Sequence, residues 1–204
     1  MTAHTKAMMS AFQSAKTFED MPERSEELTR ASRRAGDLAN KLLALERASA
    51  RGNTGVSTPV ALVPLPEEVC TLKDLACMSC NVTLTLSLPD ARPIVTGDTT
   101  MISEAVTNLI DNALPHSGTA LSETKVTLSM GPPFVTITVA DNGCGIPPEM
   151  ADKAKERFRQ VGPSEGSGLG LAIADAVSKH HGGRRDIAPR PDGLDIMLFL
   201  KRDH

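Results

Sequence analysis

Residues 135–147 read VTITVADNGCGIP, an alternating apolar stretch that runs directly into a polar, glycine-rich turn. Apolar side chains occupy every second position, as in a strand with one buried face: Val135, Ile137 and Val139. Asp-Asn-Gly after a strand is common turn chemistry, and a simple loop is the plainer interpretation. A turn does not require the second glycine, Gly145, or the Ile-Pro that follows it. Together these residues give a backbone that can lie flat against a planar ligand, and Asp141 could accept the amino proton of an adenine.

A helix predicted for residues 98–114 carries polar side chains in an otherwise apolar pattern. Glu104, Asn108 and Asn112 are spaced by four and share one helix face, with Asp111 beside them. Asparagine is a poor helix former, so two in one helix call for a reason. A carboxamide oxygen can ligate Mg²⁺, and a carboxylate one turn earlier can orient or deprotonate a nucleophile. A solvent-facing polar stripe is the alternative interpretation.

Residues 166–171 read GSGLGL and lead into a helix predicted from Gly168 to His180. Exposed backbone amides at a helix N-terminus form an anion site suited to phosphates. The loop is not a Walker loop, because no Gly-Lys-Ser or Gly-Lys-Thr follows it. It is also not a dinucleotide fingerprint, because no strand immediately precedes it. A glycine-rich loop is weak evidence alone and gains weight only beside the other two stretches.

The rest of residues 66–204 predicts a single α+β domain. Its remaining predicted elements are a helix over Pro66–Cys80 and strands over Asn81–Leu88, Lys125–Met130, Phe134–Ala140 and Leu194–Leu200. Helices and mostly antiparallel strands in this order indicate a sandwich of one sheet with its helices on one face.

Residues 1–52 predict a separate helical hairpin. Apolar residues spaced by three and four form a heptad seam at Leu28, Ala31, Ala35, Leu38, Leu42 and Leu45. So narrow a stripe needs a partner helix, and the segment from Met8 to Phe18 can supply one, with a break near Pro22. Two hairpins side by side would form a dimeric four-helix bundle, and an intrachain hairpin is the alternative. Residues 53–65, with Pro59 and Pro64, are predicted to be a linker.

The composition limits the classes of partner that the chain is expected to bind. The 204 residues are 40% hydrophobic and carry a formal net charge of −3, so no broad basic face is available for nucleic acid. No apolar run approaches the 18 or more residues of a membrane span, so we expect no membrane contact by this chain itself. We expect a cytoplasmic location, either alone or as the cytoplasmic part of a membrane-bound sensor.

In chain order, three patterns resemble the N, G1 and G2 boxes of the ATPase fold shared by histidine kinases, DNA gyrase, Hsp90 and MutL, the Bergerat fold. They are Glu104-x3-Asn108-x3-Asn112, Asp141-x-Gly-x-Gly145 and Gly166-x-Gly-x-Gly170. The Leu-Leu-Ala-Leu-Glu-Arg run at 42–47, the linker and His181-Gly182-Gly183 are similar to sensor histidine kinases of two-component systems. The resemblance implies a homodimer that binds ATP and Mg²⁺, phosphorylates a histidine and passes the phosphoryl group to a response-regulator receiver domain.

The resemblance also implies roles for individual residues. Asp141 would bind the adenine amino group, Asn108 would hold Mg²⁺ and Glu104 would be the catalytic carboxylate. Residues 160–167 would form a lid, with Phe158 at its start. The full nucleotide-binding set would be Asn108, Asp111, Asn112, Asp141, Gly143, Gly145, Ile146, Phe158, Gly166, Gly168, Leu169 and Gly170.

Three departures from the family pattern keep an alternative open. The phosphoacceptor motif is missing: His4 is the only histidine in the hairpin region, and the acceptor is expected just before Met1. Pro115 replaces a basic residue after the N box, and only Phe158 remains of a Phe-x-x-Phe pattern. The alternative is a degenerate dimeric scaffold that binds a response regulator or nucleotide without catalysis. A serine kinase of the anti-sigma-factor type shares the boxes, but it would not need the helical hairpin.

Overall fold

The computed structural model describes residues 21–49, 58–114, 122–143, 169–190 and 192–203. The helices are α1 (Met21–Ser49), α2 (Pro64–Ser79), α3 (Thr99–Ala113) and α4 (Leu169–His180). The strands are β1 (Thr58–Ala61), β2 (Thr83–Ser87), β3 (Ile94–Gly97), β4 (Glu123–Gly131), β5 (Phe134–Asp141), β6 (Arg184–Arg190) and β7 (Gly193–Lys201).

Five strands form a mixed sheet in the order β2-β4-β5-β7-β6, in which β2 runs parallel to β4 and the other pairs are antiparallel. One face is apolar and buried, as the cross-strand row Val126, Val139, Ile196 and Ile187 illustrates. We call this the inner face. The opposite, outer face carries threonines and charged side chains together with Met197 and the paired rings of Phe134 and Phe199. The fold is therefore α+β, as predicted.

Helices cover the inner face because their own apolar stripes need burial there. α3 packs against β5, and α4 packs against β6, β7 and α3. Asp98 caps α3 by accepting a hydrogen bond from the backbone N–H of Met101 at 3.0 Å. Leu114 leaves the helical conformation just before Pro115, whose ring cannot continue a helix.

His181 joins α3 and α4, two of the helices that pack against the sheet. Its Nε2 accepts from the backbone N–H of Asp98 at 3.0 Å, so Nδ1 carries the proton and donates to the carbonyl of Val177 at 2.8 Å. Gly97 is required beside this ring, because an added Cβ there would come within 2.1 Å of it. Burial lowers the pKa of His181, and the neighbouring His180 lowers it further, so the ring is kept neutral.

A two-stranded antiparallel sheet of β1 and β3 lies outside the sequence prediction. β1 falls inside residues 53–65, so part of the predicted linker is folded strand. Prolines suggested a linker, but a short strand with only one neighbour accommodates Pro59, since no second ladder needs its missing N–H. β3 and β6 were also missed. β3 is only four residues long, and β6 carries three arginines and a proline.

The helix predicted over the heptad stretch is confirmed, because α1 contains all of the seam residues. Contacts divide the chain into two compact units, Met1–Asn40 and Lys41–His204. In the second unit Ala44 and Ala48 of α1 are buried, whereas Leu42 is 48% exposed. The proposed partner segment lies outside the described residues, so the hairpin, the four-helix dimer and the limits 1–52, 53–65 and 66–204 remain predictions. Among the described helices, none combines the length and apolarity needed to cross a membrane.

Candidate functional site

Asp141 ends β5 with its side chain on the inner face, in register with Leu194 of β7 and Thr124 of β4. Its Oδ1 accepts a hydrogen bond from the backbone N–H of Gly143 at 3.0 Å. Burial raises the pKa of Asp141, while the N–H of Gly143 and the guanidinium of Arg190 oppose that rise. The residue is only half-buried, and a carboxylate has about four lone-pair sites. Acceptor capacity therefore remains for a ligand.

Asn142 has a different role from Asp141 beside it. Its Oδ1 accepts from the backbone N–H groups of Ser122 at 3.0 Å and Glu123 at 2.8 Å, and its Nδ2 donates to the hydroxyl of Ser122 at 2.9 Å. These bonds fix the turn to the start of β4. This role of Asn142 was not predicted from the sequence, although the tendency of asparagine to hydrogen-bond nearby backbone was the available signal.

Arg190 also supports the strand end from β6. Its Nη2 donates to the backbone carbonyl of Asp141 at 2.6 Å, and its Nε lies 3.2 Å from Oδ1 of Asp195. Gly193 makes this approach possible: its φ is +143°, and an added Cβ would lie 1.8 Å from the carbonyl oxygen of Asp141. The position of the aspartate thus depends on a glycine 52 residues later in the sequence.

Asn108 and Gly170 lie against each other where α3 meets the start of α4. Asn108 is 9% exposed, and its Nδ2 donates to the backbone carbonyl of Glu104 at 2.8 Å. A Cβ added at Gly170 would lie 3.5 Å from the carbonyl oxygen of Asn108 and 3.7 Å from its Oδ1. The side-chain oxygen therefore faces the beginning of α4. The structure brings these two predicted residues together beside β5.

The two acidic residues of α3 already have partners. Oε1 of Glu104 lies 3.3 Å from Nη2 of Arg47 on α1, and Oδ1 of Asp111 lies 2.6 Å from Nζ of Lys73 on α2. Both pairs are partly exposed, so each contributes about 1 kcal/mol or less to stability. Asn112 is exposed. Neither basic partner could be found from the sequence, because each comes from a helix distant in the chain.

The residues present fit Mg²⁺ in one specific way. Among the described residues, no three His, Cys, Asp or Glu side chains cluster closely enough to hold a metal. The side-chain oxygen of Asn108 is available, because its own hydrogen bond uses the nitrogen. Magnesium commonly takes one or two protein oxygens and completes its shell with water and phosphate oxygens. One oriented amide oxygen suits a metal that arrives with a nucleotide.

Some of the predicted site residues lie outside the described part of the chain: Gly145, Ile146, Phe158, Gly166, Gly168 and the lid at 160–167. Gly143 is described as part of the Asp141 turn, and Leu169 is buried at the first position of α4.

The sheet carries helices on one face. That same face holds an aspartate at a strand end, an asparagine within a helix and a glycine at a helix start. This combination defines a two-layer ATPase domain. The chain belongs to the family of histidine kinase-, DNA gyrase B- and HSP90-like ATPases, whose family model matches residues 97–204. This confirms the resemblance seen in the sequence.

Relatives place the domain among sensor kinases. A Rickettsia bellii protein that bears the name NtrY-like sensor histidine kinase is 40% identical over 110 residues, which is 52% of this chain and 18% of that protein. Sensor histidine kinase Hik2 of Synechocystis is 36% identical over 124 residues, 56% of this chain and 28% of that protein. The chain therefore spans less than a third of the length of these curated relatives.

Solved structures agree with the relatives. The catalytic domain of histidine kinase ThkA is 25% identical with a TM-score of 0.63, covering 72% of this chain and 95% of that domain. Two further structures share the fold. Full-length ShkA in complex with AMPPNP is 23% identical with a TM-score of 0.68, covering 81% of this chain and 35% of ShkA. ThkA in complex with the response regulator protein TrrA is 20% identical with a TM-score of 0.65, covering 84% of this chain and 49% of that chain. The described domain is a histidine kinase ATP-binding catalytic domain.

Proposed function

We propose that this chain binds ATP with Mg²⁺ and transfers the γ-phosphoryl group to a histidine, from which it passes to a response-regulator aspartate. The observation that carries the proposal is the half-buried carboxylate of Asp141, fixed at the end of β5 and still able to accept a hydrogen bond. A strand-end carboxylate that its surroundings do not fully satisfy is suited to a ligand donor such as the amino group of adenine.

The proposed binding mode uses α3 and α4. Asp141 accepts a proton from the adenine amino group while the backbone at Gly143 lies along the base. The phosphates lie at the start of α4, which begins at Leu169 and Gly170, because the first N–H groups of a helix have no intrahelical partners and attract anions. Asn108 gives its side-chain oxygen to Mg²⁺. A metal held there would supply positive charge to offset that of the phosphates.

In the transfer step, an imidazole nitrogen of the acceptor histidine bonds to the γ-phosphorus while the bond to the β-bridging oxygen breaks. ADP leaves with that electron pair, and the proton of the imidazole passes to the carboxylate of Glu104. Glu104 cannot take this role while Arg47 neutralises it at 3.3 Å. We therefore propose that Arg47 moves away from Glu104 when the acceptor histidine approaches.

The partners follow from the same assignment. The exposed seam residues Leu38 and Leu42 support a homodimer through α1, because an apolar heptad face needs a second helix. A response-regulator receiver domain is the proposed acceptor of the phosphoryl group, consistent with the complex of ThkA and TrrA. We propose a cytoplasmic location for the domain.

The test begins with calorimetric titration of ATP and Mg²⁺ into the purified chain. The chain is then incubated with ATP labelled at the γ-phosphate and examined for acid-labile, base-stable label. We expect ATP binding and, in the presence of an acceptor histidine, label of that stability. Loss of label in His4→Ala would identify His4 as the acceptor. ATP binding without label or ADP formation would favour the non-catalytic scaffold. A chain that binds no ATP would contradict the proposed kinase and would leave only a scaffold that binds a response regulator.

A further inference from the structure

Thr124 is a buried polar residue to which the binding mode above assigns no role. The residue is 0% exposed, and its Oγ1 has no hydrogen-bond partner among the residues that the structure describes. Buried hydroxyl groups are normally bonded, because leaving one unsatisfied costs stability. An unsatisfied hydroxyl inside an otherwise apolar face therefore calls for a ligand or a bound water.

The sheet register places Thr124 directly beside Asp141. The two residues are cross-strand partners on β4 and β5. Both point to the inner face, as do Val126 and Val139, the next cross-strand pair on that face. Directly opposed residues have Cβ atoms about 4.5–5.5 Å apart. The other neighbour of Asp141, Leu194, is apolar. Thr124 is thus the one hydroxyl in this cross-strand row, next to the predicted adenine ligand.

The two side chains complement adjacent atoms of one base. The edge of adenine presents an amino donor at position 6 and an acceptor at N1 beside it. A carboxylate only accepts hydrogen bonds, so it suits the amino group but not N1, whereas a hydroxyl can donate. Guanine presents the reverse pattern, with a carbonyl at position 6 and a proton on N1. A carboxylate and a hydroxyl on neighbouring strands therefore match adenine and oppose guanine.

We propose that the Thr124 hydroxyl donates a hydrogen bond to N1 of the adenine, directly or through one water, and so determines base specificity together with Asp141. This inference rests on the proposed ATP site and adds to it a second base-recognition residue. The ligand also explains why a hydroxyl is kept at a buried position where valine would pack equally well.

The experiment compares variants and nucleotides that differ by one group. Thr124→Val removes the hydroxyl and keeps the shape, and Thr124→Ser keeps a hydroxyl. Thr85→Val is the matched control, since Oγ1 of Thr85 is also buried without a partner but lies on the outer face, in register with Lys125. The probes are ATP, 1-deaza-ATP, which lacks N1, and 7-deaza-ATP, which retains it. Affinities are measured by titration calorimetry with Mg²⁺ present.

We expect the wild type to bind ATP and 7-deaza-ATP alike and 1-deaza-ATP about tenfold more weakly, the size of one neutral hydrogen bond. Thr124→Val should lose about tenfold for ATP and should no longer distinguish 1-deaza-ATP from ATP. Thr124→Ser and Thr85→Val should retain the distinction. Thermal melting without nucleotide should show Thr124→Val at least as stable as the wild type, because an unsatisfied hydroxyl is removed.

Two results would overturn the inference, and they are distinguishable. If the wild type binds ATP but Thr124→Val still discriminates against 1-deaza-ATP by the same factor, the hydroxyl does not contact N1 and the ATP site stands. If the wild type binds none of the three nucleotides, the proposed function fails and this inference fails with it.

Discussion

Replacing Asp141 by asparagine tests the adenine site most directly. The change keeps the shape of the side chain, but it replaces one acceptor oxygen with an amide that only donates. With the amide oxygen accepting from the N–H of Gly143, as Oδ1 does now at 3.0 Å, the NH2 group takes the place of the other oxygen and opposes the adenine amino group, donor against donor. A hydrogen bond to a charged group is worth about 1.5–3 kcal/mol, so ATP affinity should fall about 10- to 150-fold.

The same substitution should not destabilise the free domain. Because the pKa of Asp141 is raised in the folded state, chiefly by burial, this group contributes stability below its unfolded pKa that is lost as the pH rises through the folded value. At neutral pH the folded domain thus holds a carboxylate in an unfavourable environment, and a neutral asparagine relieves it. We expect Asp141→Asn to melt at the same temperature as the wild type or slightly higher.

The assay combines titration calorimetry with thermal melting followed by circular dichroism, each across a pH series. In the wild type, ATP affinity should decline on acidification at a pH above the ordinary aspartate range, because only the ionised carboxylate is a full acceptor. In Asp141→Asn that component of the pH dependence should disappear. Unchanged affinity in the variant would refute the site, and a drop of many degrees in melting temperature would show that the carboxylate is structural instead.

Four further outcomes are expected. Glu104→Gln should keep ATP affinity within about twofold and lower labelled histidine formation at least about 100-fold, the usual contribution of a general base; normal labelling would remove Glu104 from the mechanism. Arg47→Ala should raise the labelling rate while changing unfolding free energy by less than about 1 kcal/mol, since the pair is exposed, and a slower rate would contradict the release step. Gly170→Ala should stabilise the free domain by up to about 1 kcal/mol through helix propensity, because the added Cβ would make ordinary contacts. The same change should weaken Mg²⁺-dependent ATP binding beside Asn108, and equal ATP affinities of the variant and the wild type would argue against this phosphate site. Because the pKa of His181 is lowered, its contribution to stability is present above its unfolded pKa and lost as the pH falls through the folded value; denaturant melts should show this acid sensitivity, and its persistence in His181→Gln would assign it elsewhere.

Elements with one buried face could be predicted from the sequence because burial imposes a period. The predicted strands over Lys125–Met130 and Phe134–Ala140 lie within β4 and β5, and the helix predicted over Asp98–Leu114 contains α3 with one residue more at each end. The strands that were missed show no clear alternation of apolar and polar residues in the sequence, although β3 alternates in burial. β3 spans only four residues, and β6 exposes charged side chains on a strand at the edge of the sheet.

The candidate site was predictable to the extent that it depends on local chemistry. Asp141 and Asn108 violate local preferences, one as a partly buried carboxylate and the other as an asparagine inside a helix, and such violations can be read from the sequence. Contacts between distant segments cannot. Arg47 reaches Glu104 across 57 positions, and Thr124 acquires its importance only through a strand register that places it opposite Asp141.

These violations have a common energetic consequence. Asp141 is held with a raised pKa, the Thr124 hydroxyl lacks a partner within the described structure, and Gly170 weakens the first turn of α4. Each lowers the stability of the free domain, and each is relieved or used when a nucleotide supplies an amino group, a ring nitrogen or a phosphate. Natural sites commonly trade stability for binding in this way. A ligand at 100 times its Kd stabilises a folded protein by about 2.7 kcal/mol. A tenfold weaker Kd leaves about 1.4 kcal/mol of that stabilisation. Thr124→Val should therefore lose about half, and Asp141→Asn half or more, of the melting-temperature increase that ATP gives the wild type, even though their nucleotide-free forms are no less stable.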